Sequence, residues 1–136
     1  MKIIYSILVM FLVLGCSKEK KKEIQENLIM EALTNGLWKM TSFNKGGTDI
    51  TSDFTPYSFK FNTNFTVDAI NNGMVEKTGT WNADSDALTM TSNFPNAVNP
   101  LILLNGTWTI TSATWTSVIA NQTVNGELRV LRLDKL

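Results

Sequence analysis

The stretch YSFKFNTNFTVDAINNGMVEKTGTW, residues 57–81, decides the fold. Tyr57, Phe59 and Phe61 alternate with Ser58, Lys60 and Asn62, and Phe65, Val67 and Ala69 alternate with Thr66 and Asp68. A period of two sends alternate side chains to opposite faces of a strand, so each run predicts a half-buried strand. Asn62-Thr63-Asn64 reads as a turn. Asn71-Asn72-Gly73 reads as a hairpin, because Asn and Gly accept positive φ. Met74 to Trp81 is then the next strand.

The same grammar extends in both directions. Upstream, Leu37 to Asn44 is the first strand, Lys45-Gly46-Gly47 turns it, and Thr48 to Phe54 is a loop. Downstream come a turn at Asn82 to Asp86 and a strand at Ala87 to Ser92. Asn93 to Pro100, with Pro95 and several Asn, is an irregular connection of the kind that often carries binding. Strands at Asn105 to Ser112, Thr114 to Asn121 and Gly126 to Asp134 complete the series. About eight short strands with no helical pattern between them predict an all-β domain of antiparallel neighbours. Such a sheet hides its edges and apolar face either in a closed up-and-down barrel or in a two-sheet sandwich. Periodicity does not separate these two, but simple hairpins between most neighbours favour the barrel.

Composition narrows the function. The chain has 136 residues, twelve Lys+Arg against twelve Asp+Glu, no His and one Cys. The length fits one domain. The zero balance gives no footing for nucleic acid, which calls for a basic surplus. Without His there is no Ser-His-Asp triad and no His-ligated metal. One Cys makes neither an internal disulfide nor a thiolate zinc site.

The N-terminus reads as an address. Lys2 precedes an apolar run from Ile3 to Leu14, broken by Tyr5 and Ser6. The run is far short of the roughly 20 residues that span a bilayer, and it matches a secretory signal. It ends in Val13-Leu14-Gly15-Cys16-Ser17, which resembles the bacterial lipobox. In such precursors the Cys is lipidated and becomes the first mature residue. The resemblance implies a signal peptide over 1–15, lipidation at Cys16, and a membrane partner through that residue. Two or more acyl chains give stable anchoring. The expected location is the cell envelope, at the outer membrane, with the leaflet open. Residues 16–35 are then the lipidated Cys, a charged tether and a short helix. In the tether, Lys18, Lys20, Lys21 and Lys22 are offset by Glu19 and Glu23. Ile24, Leu28, Ile29, Ala32 and Leu33 fall at helical spacing, and Asn35-Gly36 is a stop signal, so a helix is expected at about 23–34.

Three G-x-W motifs mark the domain that follows: Gly36-Leu37-Trp38, Gly79-Thr80-Trp81 and Gly106-Thr107-Trp108. With the aromatic alternation at 57–61, the terminal strand at 126–133 and the lipobox, the chain resembles the small lipocalin-like lipoproteins of Bacteroidota over roughly 36–135. The resemblance implies a lipocalin-like barrel over 36–136, with Trp38 packed at its closed end beneath Arg129 or Arg132. That cation–π contact is worth about 1 kcal/mol. An eight-stranded barrel of this size has a lumen that side chains just fill or one small ligand occupies.

The expected function is therefore that of a membrane-anchored lipoprotein binding a small apolar or amphipathic ligand, with no catalytic residue, metal or cofactor. The candidate ligand wall is Trp38, Tyr57, Phe59, Phe61, Trp81 and Trp108, with Phe65 and Trp115 beside them. Tyr57 is the candidate polar contact, and Asn93 to Leu104 the candidate lid. The alternative is a filled barrel docking an envelope protein or polymer. Its surface would be a Thr ladder, Thr107, Thr109 and Thr111 opposite Thr114 and Thr116. For acid–base chemistry, Asp84 and Asp86 form the nearest carboxylate pair, but turn chemistry explains them. Asp49 and Asp53 are too sparse for a calcium loop.

Overall fold

The computed structural model describes residues 29–136. The signal segment 1–15, Cys16, the tether and the first half of the expected helix lie outside the described residues. Residues 29–34 are helical. Nine strands follow: β1 (Trp38–Lys45), β2 (Thr48–Asp49), β3 (Tyr57–Phe61), β4 (Thr66–Asn71), β5 (Met74–Asp84), β6 (Thr89–Asn93), β7 (Gly106–Ala113), β8 (Ser117–Val124) and β9 (Glu127–Lys135).

Every neighbouring pair is antiparallel, and β3 to β9 run as a meander. The sheet closes because β1 pairs with β9 along its length, from Trp38↔Lys135 to Lys45↔Arg129, and touches β3 at Trp38↔Phe59. Closure removes the free edges that a meander would otherwise expose. β2 is a two-residue ribbon on the tip of β1, so eight strands form the barrel. This is the all-β, eight-stranded up-and-down barrel that the hairpins between neighbouring strands favour over a sandwich, with a helix at its N-terminal side.

Inward residues of every strand meet in one core. β3 shows the rule: Tyr57, Phe59 and Phe61 are buried, while Lys60 is exposed. The two ends are closed differently. At the end where β1 starts, Leu33 of the helix covers the core, and the Trp38 indole N–H donates to the Leu33 carbonyl at 3.0 Å. At the far end, the segment expected as a plain loop folds into a 3-10 turn over Thr51–Phe54. That turn drives Phe54 to full burial, stacked on Phe43 with ring centroids 5.0 Å apart. Phe43 in turn meets Trp108 edge-on at 5.9 Å.

The long connection after β6 also plugs this end. A second 3-10 turn, Leu101–Leu104, buries Leu101 and Leu104, and Phe94 and Ala97 are buried before it. Asn105 ties the connection together. Its side-chain oxygen accepts the Phe94 N–H at 2.7 Å and its amide donates to the Phe94 carbonyl at 3.2 Å. Gly79 makes room for this plug, since a Cβ there would lie 2.3 Å from the Asn93 carbonyl oxygen and 2.9 Å from the Phe94 ring. The second G-x-W glycine is thus a close-approach residue.

Three local expectations need correction. Phe65 does not open a strand: it sits at φ 65° in the turn, and β4 begins at Thr66. The hairpin after β7 is shifted, with Thr114 to Thr116 in the turn and β8 starting at Ser117. Thr114 and Thr116 therefore face no Thr ladder. Thr109 pairs with Asn121, a register shift falls at Thr111, and Thr107 pairs with Thr91.

Candidate functional site

The barrel lumen is where the candidate ligand wall converges. Phe59, Phe61 and Trp108 line its cavity together with Met40, Val67, Met90, Phe94, Val118, Leu131 and Leu133. The cavity holds only about 40 Å³. That is room for a few waters and is far below the roughly 300 Å³ of small-molecule pockets. Phe94 and Leu104, both from the far-end plug, line the cavity and close it at that end.

The other wall candidates are buried beside this cavity rather than on it. Trp38 is sealed at the helix end. The Lys135 ammonium stands over its ring, 5.1 Å from the centroid. The cation is thus neither Arg129 nor Arg132. Register explains why: Lys135 is the residue opposite Trp38, whereas Arg129 and Arg132 lie opposite Lys45 and Ser42. Each Arg holds a carboxylate on its own strand, Arg129 to Glu127 at 3.0 Å and Arg132 to Asp134 at 2.9 Å. Trp81 packs edge-on against Phe61 at 5.5 Å, and its indole N–H donates to the Asn62 carbonyl at 3.1 Å. Phe65 and Trp115 are not wall residues, being about half exposed on the outside.

Tyr57 is a buried aromatic whose hydroxyl meets a carboxylate. Its hydroxyl donates to Glu76 at 2.8 Å, and Asn71 donates to the other Glu76 oxygen at 3.0 Å. The Asn71 and Tyr57 hydrogen bonds hold the Glu76 carboxyl below its ordinary value. Burial, and then the Glu76 carboxylate, push the Tyr57 phenol up. Both shifts lock one protonation state, and the phenol is committed to the rim rather than free for a lumen ligand.

Asp84 and Asp49 act as turn formers. One Asp84 oxygen accepts the N–H groups of Asp86 and Ala87 at 2.9 and 3.1 Å. Asp49 accepts the Thr51 N–H at 2.9 Å, and Thr51 in turn accepts the Phe43 N–H at 2.9 Å, which anchors the 3-10 turn carrying Phe54.

Surface recesses also lie outside the lumen. One, about 190 Å³, lies between the helix and the β7–β8 hairpin and includes Ile29, Leu33, Ile110 and Trp115. Another, about 320 Å³, lies on the outer wall beside Phe65, over β5 and β6. The sequence reading missed both, because neither is a contiguous motif.

The barrel resembles the crystal structure of a duf4847 family protein from Bacteroides vulgatus ATCC 8482. The TM-score is 0.56, at 14% sequence identity, over 78% of this chain and 96% of that one. At that identity the likeness is one of fold. No protein-family model and no curated protein matches the chain.

Proposed function

We propose that this protein is a lipid-anchored, lipocalin-like docking module of the cell envelope, non-catalytic, with a barrel that serves as a rigid scaffold rather than a carrier. The observation that carries this reading is the filled lumen. Aromatic and aliphatic side chains leave about 40 Å³ inside, and both ends are plugged. A carrier of small apolar or amphipathic ligands needs an open cavity several times larger. The anchor rests on the sequence: a short apolar run ending in Leu14-Gly15-Cys16, followed by a charged tether. The tether lets the barrel reach a protein or polymer partner near the membrane while the acyl chains hold it there.

Native mass spectrometry of the protein extracted from its own membrane tests the scaffold reading. The expected spectrum contains the lipidated chain alone. A small apolar molecule held at equal stoichiometry would restore the carrier reading. Fractionation of a Cys16→Ala variant tests the anchor separately. The variant should leave the membrane fraction, and an unchanged membrane association would refute the lipoprotein assignment.

A further inference from the structure

On the outer wall of the barrel, two adjacent rows of side chains carry no charge. One row crosses Thr66, Thr80 and Asn93, and the next crosses Asn82, Thr91 and Thr107. Five of them are exposed and Thr66 is half-buried, and all alternate with the buried positions of their strands. Ionised groups flank the rows, with Asp68 and Asp84 one step beyond on either side, but none stands within them. Strand spacing makes the patch roughly 14 Å across its four strands.

An aromatic ring stands at the edge of this patch. Phe65 is 47% exposed and holds φ at 65°, a conformation that a bulky side chain adopts rarely. The backbone fixes it there from both sides. The Phe65 N–H donates to Asn62 at 3.0 Å, and the Phe65 carbonyl accepts the Trp81 N–H at 2.9 Å. Its ring centroid lies 5.7 Å from that of Trp81. Strain of this kind persists where the surroundings enforce it, and it concentrates at binding sites.

In this groove the Thr66 hydroxyl is bonded to Asn64 and Asn62, and the Thr91 hydroxyl to Thr107. Among the described residues, the side chains of Thr80 and Asn93 make no hydrogen bond. Asn82 uses its oxygen on the Ala83 N–H at 2.9 Å and keeps its amide donors free. The groove therefore offers an apolar ring, neutral donors and neutral acceptors within about 320 Å³. It offers no cation for a phosphate and no broad apolar surface for a lipid.

We infer that this groove binds a neutral oligosaccharide, stacking the C–H face of a sugar ring on Phe65 and pairing its hydroxyls with Asn82, Asn93 and Thr80. The inference deepens the docking reading and rests on it, naming the partner as an uncharged glycan polymer. A strand-by-strand array suits a repeating polymer better than a single sugar.

Affinity electrophoresis in native gels tests it. The full mature chain is run through gels containing dextran, laminarin or neutral mannan, with alginate as the anionic control. At least one neutral polymer should retard the wild type, and alginate should not. Asn93→Ala and Thr80→Ala remove exposed groups with no internal partner, so each should weaken retardation at least five-fold with an unchanged melting temperature. Phe65→Ala should abolish retardation, and Phe65→Trp should retain it. No retardation by any neutral polymer overturns the inference, as does retardation by alginate alone. Retardation that survives Phe65→Ala and Asn93→Ala overturns it too. A lumen ligand found by mass spectrometry would overturn the docking reading without altering these gels, so the two failures are distinct.

Discussion

Phe59→Ala probes the filled lumen at its own wall. Phe59 is buried, borders the 40 Å³ cavity, and stacks on Tyr57 with centroids 6.2 Å apart. Removing the ring re-exposes or empties about 150 Å² of apolar contact, worth about 4 kcal/mol at 25 cal/mol per Å². Loss of the aromatic pair adds about 1 kcal/mol, while residual burial in the unfolded chain subtracts a similar amount. The expected cost is therefore about 4 kcal/mol, inside the 3–5 kcal/mol of Phe→Ala changes in rigid cores. That is a large share of the 5–15 kcal/mol available to a domain. Urea unfolding followed by Trp fluorescence measures it, with Phe59→Leu as the variant that surely folds, at about 1–2 kcal/mol. The enlarged void should also bind benzene, as engineered apolar cavities do. A loss below about 1 kcal/mol for Phe59→Ala would refute the reasoning, because only a ring facing an open cavity is so cheaply removed.

Gly79→Ala should destabilise the barrel by several kcal/mol, since its Cβ meets backbone at Asn93, whereas Gly73→Ala pays only for its positive φ; thermal melts compare them. Lys135→Met should cost at most about 1 kcal/mol by urea titration, the value of one exposed cation–π contact. Acid should destabilise the fold. Glu76, Glu127 and Asp134 are held below their ordinary values, by Asn71 and Tyr57, by Arg129 and Lys45, and by Arg132 and Thr41. A depressed folded value means stability is complete above the ordinary 4.5 and 3.8 and falls as pH drops through the folded values, so melts should be level from pH 7 to 5 and decline below. Tyr57 shifts the other way, so its stabilisation is lost as pH rises past 10.0, and Tyr57→Phe should flatten that alkaline limb.

The barrel was legible because its signal is local. Alternation at Tyr57 to Phe61 and the Asn-Asn-Gly turn act over a few residues, and antiparallel neighbours follow from short connections. Phe54 and Phe94 were not legible. Both lie in polar, Pro- or Asp-containing connections with no periodicity, and their burial depends on tertiary closure of the far end. These two residues help turn an open cup into a filled barrel. The choice of Lys135 over either Arg needed the register of β1 against β9, which is a long-range pairing. The Phe65 groove joins turn residues to outward positions on β5 and β6. Outward Thr and Asn read only as good strand surface until the strands are aligned.

Methyl NMR titration of the mature chain tests the filled barrel most directly. The methyl groups of Val67, Val118, Leu131 and Leu133 border the lumen, so they report any occupant. With lauric acid and 1-aminoanthracene added in turn to equimolar and above, the methyl signals of these four residues should stay in place. Saturable shifts of those methyls with either probe would mean that the lumen opens to ligands, and would contradict the account.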